Sequence, residues 1–431
     1  MQRRAFAKTI GTALGAGMVL PPGYPNTATA DRHATRLGEP TPVTPLADIH
    51  ERIPTPVVVE RIEVMRHPDS DNGDAYLVRV YDADGAYGTA FGNVRLPTVL
   101  TLFETIVAPF FLGRDARDLA RGFEDFYYWD GERAYKYLGM PLWTCYGNLE
   151  LACLDLLGKR ADANVRELLG ETLRTEIPVY ASSLSRRTSP EEEVDFIAAQ
   201  MERLGTRACK LKIGGRMSRD ADASPGRTEA LVPLARRRLG DDAVLYVDAN
   251  GSYSAPRAIE VGRMLADHGV AVYEEPCEWP DFEGTRAVAE GLRHTGVTVA
   301  GGEQDSDLYK WRWMIERGAV GMVQPDLYYN GGLLRSVEVA NLAAAAGLPC
   351  TTHNPRNDAG LAAAMAMAAV LPNLGPYQEY KARPSDVSIP ATPKLACVGG
   401  VVRVPEGAGL GVSFDEAFVA EMPRVRVVGE G

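Results

Sequence analysis

The chain has no surplus of positive charge: 46 Lys and Arg stand against 57 Asp and Glu, a formal net charge of −11. That argues against a nucleic-acid partner and leaves no polybasic patch for a membrane surface. Beyond the first thirty residues no stretch is long and apolar enough to span a bilayer as a helix. The six cysteines (Cys145, Cys153, Cys209, Cys277, Cys350, Cys397) show no CxxC or CxH spacing. A structural zinc site is thereby excluded, and buried free thiols are expected in place of disulfides. No GxGxxG follows a first strand, which removes the usual support for a dinucleotide fold. Low-complexity tracts are absent as well, and 431 residues at 45% hydrophobic content are enough for a barrel plus a second domain.

What is present begins with Arg3-Arg4-Ala5-Phe6-Ala7-Lys8, which resembles a twin-arginine export signal. An apolar run from Thr9 to Leu20 and the small-x-small Ala28-Thr29-Ala30 before Asp31 complete the pattern of a processed segment over 1–30. Export to the periplasm is the expectation, with the cytoplasm as the location if the signal is not functional. Removing the segment's three positive charges takes the net charge from −11 to −14. Residues 31–55 are rich in Pro and Thr and read as a linker or arm.

Residues 56–175 read as an α+β block. Val57 to Met65, Ala75 to Tyr81 and Ala86 to Ala90 alternate as strands, followed by helical patterns over Val99–Phe111, Leu119–Trp129 and Trp143–Leu157. From Ile177 the texture becomes strand, loop, helix, repeated seven or eight times over 176–385. A closed parallel (β/α) barrel follows from that repeat, since right-handed βαβ crossovers must either close or fan out; a doubly wound open sheet is the structural alternative. The Pro-rich and apolar segment 386–431 is expected to pack back on the first block.

In such a barrel, chemistry collects where the strands end. Ala208-Cys209-Lys210-Leu211-Lys212-Ile213 is a short strand whose two lysines point to one side and whose Leu211 and Ile213 point to the other. Past each later apolar run stand Asp248, Glu274, Glu303, Asp326, His353 and Glu379, at gaps of 23 to 38 residues, each close to one βα unit. Asp248, Glu274 and Glu303 come from three successive strands. Three converging carboxylates need a cation, and an all-oxygen set suits Mg²⁺. Lys212 is the candidate base, because a neighbouring cation and desolvation both lower a lysine pKa; Lys210 is its electrostatic neighbour. His353 is the only one of the six histidines at a strand end, and Asp326 is placed to hold its tautomer. Lys212 and His353 would then address opposite faces of a bound substrate.

Lys210-x-Lys212, Asp248-x-Asn250, Glu274-Glu275-Pro276, Gly302-Glu303, Pro325-Asp326 and His353 together resemble the mandelate racemase group of the enolase superfamily. Leu154-Asp155-Leu156-Leu157-Gly158-Lys159, Leu168-Leu169-Gly170 and the tail from Gly407 to Val412 are similar to its domain-junction signatures. The resemblance implies a modified TIM barrel with an N-terminal α+β capping domain and one Mg²⁺ per subunit. It implies abstraction of the proton α to a carboxylate, giving an ene-diolate. It also implies Glu379 as a hydrogen-bond donor to the substrate carboxylate, Asn250 beside the metal or substrate, and a homo-oligomer. Substrate choice would fall to loops at about His67 to Asp74 and Gly88 to Val99, where Arg95 could meet a distal carboxylate or hydroxyl. Their polar lining points to an acid sugar as the small-molecule substrate, dehydrated to a 2-keto-3-deoxy acid. A racemase or epimerase of a 2-hydroxy acid, and an exported binder of carbohydrate acids without turnover, are the other readings.

Overall fold

The computed structural model describes residues 41–68, 74–354, 356, 358–382 and 389–429. The candidate export signal over 1–30, the start of the arm and the tip of the first hairpin at 69–73 lie outside the described residues. Among the described residues no helix is long and apolar enough to cross a membrane.

The first block is an antiparallel sheet of β1 (Val59–His67), β2 (Ala75–Asp82) and β3 (Tyr87–Phe91), joined at the β1 edge by the strand Arg424–Val428. Simple alternation predicts one wet face, yet β2 is buried almost throughout. The period of two still operates, because both faces are covered. Val64, Tyr76, Val78 and Val80 belong to the main core. Met65, Ala75, Leu77 and Phe91 instead pack with Phe414, Val419 and Met422 of the tail. The tail therefore covers a face that would otherwise be exposed.

The helix Met140–Arg160 is buried from Leu142 to Gly158, on every side. Its few acids act as clamps. Asp155 accepts the backbone N–H of Thr89 on β3 and of Leu410 in the tail, both at 2.8 Å. Glu150 accepts the N–H groups of Leu333 and Leu334 at the start of the helix Leu333–Ala345, at 2.5 and 3.2 Å. Gly332 precedes that helix at φ +110°, and a Cβ there would fall 2.1 Å from Glu150 Oε2. Burial pushes the Glu150 carboxyl up to about 8, so a neutral isostere suits the site. Glu150→Ala, which strands two buried donors, is expected to cost about 2–4 kcal/mol in urea unfolding. Glu150→Gln should lose less than half of that.

The larger part is the barrel. β4 (Glu176–Ser182), β5 (Ala208–Lys212), β6 (Val244–Asp248), β7 (Val270–Glu274), β8 (Thr298–Gly301) and β9 (Met322–Val323) run parallel in that order. Single bridges from Val323 to Cys350 and from Cys350 to Leu374 carry the ring onward, and β10 (Gln378–Lys381) pairs in parallel with β4. The ring is closed, which rules out the open doubly wound sheet. The stretch at 348–351, read as a strand, is held only by isolated bridges; Pro349 has no N–H to contribute to a ladder. Among the described residues seven helices separate the eight staves; after β10 a hairpin of Cys397–Val398 and Val401–Arg403 pairs antiparallel with the start of β4 before the chain returns to the first block.

Inside the ring Tyr180, Ala208, Tyr246, Val272, Ala300 and Met322 form a small core of their own. Their sequence neighbours Val179, Cys209, Leu211, Leu245, Val247 and Val299 face outward into the main core under the helices. Lys210 shares the phase of Ala208 and so points inward, as the lysine spacing predicts.

Candidate active site

The carboxyl ends of β5 to β8 bring the site together. Lys210 is fully buried, and its ammonium donates to both oxygens of Glu274 at 2.8 and 2.9 Å. It also lies 3.0 Å from Glu379 and 3.9 Å from Asp248. Burial opposes its charge, but Glu274 and then Glu379 outweigh that and hold it above the ordinary lysine range. Lys212, one turn of the pleat further on, hydrogen-bonds Asp248 and lies 3.5 Å from Asn250 Oδ1.

Asp248, Glu274 and Glu303 are all buried, and each presents an oxygen within 4.8 Å of the others. Glu303 owes its position to Gly302, which sits at φ +107° with the Trp311 ring 1.9 Å from where a Cβ would be. Burial, with Asp248 and Glu303 acting in the same sense, lifts Glu274 to about 8 against the pull of Lys210. Asp248 goes the other way: its burial is outweighed by Lys212, Lys210 and Arg186, and it lies below the usual carboxylate range. Two buried carboxylate oxygens, Glu303 Oε2 and Glu275 Oε1, find no hydrogen-bond partner among the described residues. Three buried carboxylates with oxygens this close together, one of them without a hydrogen-bond donor, fit a divalent cation of the Mg²⁺ type.

The opposite side is built around His353. Its Nδ1 is 2.7 Å from Asp326 Oδ2, while Asp326 Oδ1 accepts the N–H groups of Tyr328 and Tyr329 at 2.8 and 3.0 Å. Those bonds fix the aspartate, and the aspartate fixes the ring. Nε2 is left facing the acids, 3.3 Å from Glu303 Oε2 and 4.0 Å from Glu379 Oε2. Burial lowers His353, but Glu303, Asp326 and Glu379 together raise it to about 10.

Glu379, which the family resemblance implies as a hydrogen-bond donor to the substrate, is held between fixed partners on β10. Its Oε1 accepts from Ser182 Oγ at 2.6 Å and its Oε2 from the Asn354 N–H at 2.8 Å. Although burial resists ionisation, Lys210 and His353 draw the group down to about 2. Both of its oxygens thus accept hydrogen bonds within the protein.

Arg95, from the loop after β3, hydrogen-bonds the Tyr329 hydroxyl. The Tyr329 ring stacks on His353 with centroids 6.3 Å apart. Arg95 thus reaches the His353 side of the site through one aromatic ring. The loop tip at 69–73, the other expected specificity element, lies outside the described residues.

All the strand-end residues predicted from the sequence converge, and Asn250 joins them: its Nδ2 donates to Asp248 Oδ2 and to Glu275 Oε2, each at 3.1 Å. Sequence reasoning misses Gln324, which donates to Glu274 Oε2 at 2.7 Å, and Ser182 and Tyr329. Gln324 precedes Pro325-Asp326 at the end of β9, so the rule applied to charged strand ends finds it once neutral amides are counted. Arg186 is missed as well. It lies on the loop after β4 with its guanidinium folded back on backbone carbonyls, and no sequence signal marks it.

Comparison with known proteins adds to this geometry. The profile of the family described as "Enolase C-terminal domain-like" matches residues 192–418, just over half of the chain. This chain belongs to the enolase superfamily, in its mandelate racemase group.

Within the superfamily, the relatives carry several reaction names. The D-galactarolactone cycloisomerase of Agrobacterium fabrum is 29% identical over 289 residues, 64% of this chain and 73% of that protein. The D-gluconate dehydratase of Thermoproteus tenax is 27% identical over 345 residues, 79% of this chain and 68% of that protein. A Roseobacter denitrificans protein provisionally named a racemase is 33% identical, with a TM-score of 0.79 over 86% of this chain and all of the other. A mandelate racemase/muconate lactonizing protein from Paracoccus denitrificans, solved with magnesium, is 27% identical with a TM-score of 0.75 over 85% of this chain and 97% of the other.

Proposed function

We propose that the protein is a Mg²⁺-dependent acid-sugar dehydratase. The observation that carries this reading is the pairing of two proton-transfer groups, Lys212 and the His353–Asp326 dyad, around one buried carboxylate cluster. A binder has no use for two such groups. Curated relatives named as dehydratases of gluconate, arabinonate and galactonate support the substrate class.

Asp248, Glu274 and Glu303 would hold the cation, which supplies positive charge where a substrate carboxylate becomes more electron-rich. The chain's own residues do the rest. One of Lys212 and His353 takes the proton from the carbon next to the carboxylate, and the configuration at that carbon decides which. A proton then goes to the hydroxyl on the β-carbon, which leaves as water, and the resulting enol becomes a 2-keto-3-deoxy acid. His353, fixed by Asp326 with its Nε2 turned toward the carboxylate cluster, is placed for the other of the two transfers. Lys210 holds Glu274 and Glu379 in place.

A library of acid sugars assayed for 2-keto acids tests the reading. Keto acid formation is expected; exchange of the α-proton with solvent deuterium without keto acid would establish racemisation or epimerisation instead. Neither product nor exchange would leave only the binder. Chelation of divalent metal should abolish turnover and Mg²⁺ should restore it. With Mg²⁺ at about 100 times its Kd, the metal-free protein should gain about 2.7 kcal/mol in unfolding.

The N-terminal 30 residues are proposed to direct export, which fractionation of cells with and without Arg3-Arg4 will test. Homo-oligomer formation is proposed alongside it, and light scattering of the mature chain reads it directly.

A further inference from the structure

Two guanidinium groups converge on one neutral atom that Lys212, paired with Asp248, also approaches. The Asn250 Oδ1 accepts from Arg186 Nη2 at 2.9 Å and from Arg216 Nη2 at 3.3 Å, with Lys212 Nζ at 3.5 Å. An amide oxygen carries only partial charge and cannot balance them. Arg186 comes from the loop after β4, and its other partners are the carbonyls of Ile213, Gly214 and Asp248 at 3.1 to 3.2 Å. Arg227 is nearby in the same layer and is likewise spent on carbonyls, those of Thr188 and Lys212, both at 2.9 Å. Among the described residues no carboxylate forms an ion pair with Arg186 or Arg216. The acid that faces Arg186 is Asp248, and Lys212 and Lys210 already claim it, so the guanidinium groups here outnumber the negative charge available to them.

The cluster is also built. Arg216 is exposed but sits at φ +63°, a conformation that costs energy outside glycine. Its N–H donates to Ser252 Oγ and the next N–H, of Met217, donates to the Asn250 carbonyl, both at 2.9 Å. Arg186 Nη1 carries no partner among the described residues, so donors remain on both side chains. Burial holds the Arg186 guanidinium below its ordinary range against the pull of Asp248, and Arg216 and Arg227 push the same way as burial. An anion placed here would relieve the repulsion and meet a rigid set of N–H donors.

We infer that Arg186 and Arg216 form a subsite for a second anionic group on the substrate, at the end remote from the reacting carbon. The inference rests on the dehydratase reading for the identity of the reacting end and narrows the substrate to a dianion. Either a second carboxylate or a phosphate monoester satisfies the chemistry. Arg95, on the His353 side, would then meet a hydroxyl.

The test compares D-galactarate and 6-phospho-D-gluconate with the monoanions D-galactonate and D-gluconate on the Mg²⁺-loaded protein. At least one dianion should exceed its monoanionic counterpart about tenfold or more in kcat/KM, and which one does so separates carboxylate from phosphate. Arg216→Gln should lower that preference by about ten- to a hundredfold, the size of one charge-assisted hydrogen bond. Arg187→Gln, an exposed neighbour outside the cluster, should leave it unchanged. Titration calorimetry reads the same ratios as affinities, so the inference is decided even if no compound is turned over and the dehydratase reading fails. Equal treatment of monoanions and dianions, or a preference untouched by Arg216→Gln, would overturn it.

Discussion

If the protein is the proposed dehydratase, asparagine in place of His353 is expected to lower 2-keto acid formation about a thousandfold, and Lys212→Ala to do the same. Both losses follow from the geometry: Lys212 approaches the carboxylate cluster at Asp248 and His353 approaches it at Glu303. Nε2 of His353 faces Glu303, whereas Nδ1 is occupied by Asp326. On the other side Lys210 is locked between Glu274 and Glu379 and cannot stand in for Lys212. The two variants also divide the mechanism. If His353→Asn still exchanges the α-proton with solvent deuterium, Lys212 removes that proton and His353 expels the hydroxyl; if exchange is lost, the roles are reversed. Unchanged turnover in both variants would remove the assignment altogether.

Lys210→Met should be the most destabilising single change in the site, by about 3–5 kcal/mol, because it leaves buried carboxylates without their cation. Glu274 and Glu379 both lean on this one ammonium, and neither is exposed. Urea unfolding of the metal-free protein measures the loss. Mg²⁺ should recover part of it, since Glu274 regains a positive neighbour while Glu379 lies outside the proposed ligand set. A loss below about 1 kcal/mol would mean that the two acids simply take up protons when Lys210 is gone.

Much of this site is legible in the amino-acid sequence. Polar residues that follow apolar runs at the spacing of one βα unit must gather at one end of a parallel ring, because every strand in the ring points the same way. Asp248, Glu274, Glu303, Asp326, His353 and Glu379 all follow from that spacing, and the phase of Lys210 and Lys212 follows from the pleat. Glu379 shows where such reading stops. Its position at the end of β10 is clear from the spacing, but its role depends on Lys210, Ser182 and Asn354, three groups from separate segments. Arg186 shows the same limit from the other direction, since a lone arginine in a loop acquires meaning only from the oxygens it touches.

The first block divides along similar lines. The three strands and the apolar helical patterns are readable from period alone. That β2 is buried on both faces is not, because the covering residues Phe414, Val419 and Met422 stand more than three hundred positions later in the chain. The sequence by itself determined the element types, the inward lysines, the strand-end acids and the family, all of which depend on local period or on the regular rise of a repeat. Closure of the ring through β10 and β4, the clamps of Glu150 and Asp155, the partners of Glu379 and the arginine cluster at Asn250 were decided by tertiary structure alone. Each is a contact between residues far apart in sequence, and its energy depends on distance and burial, which no local pattern encodes.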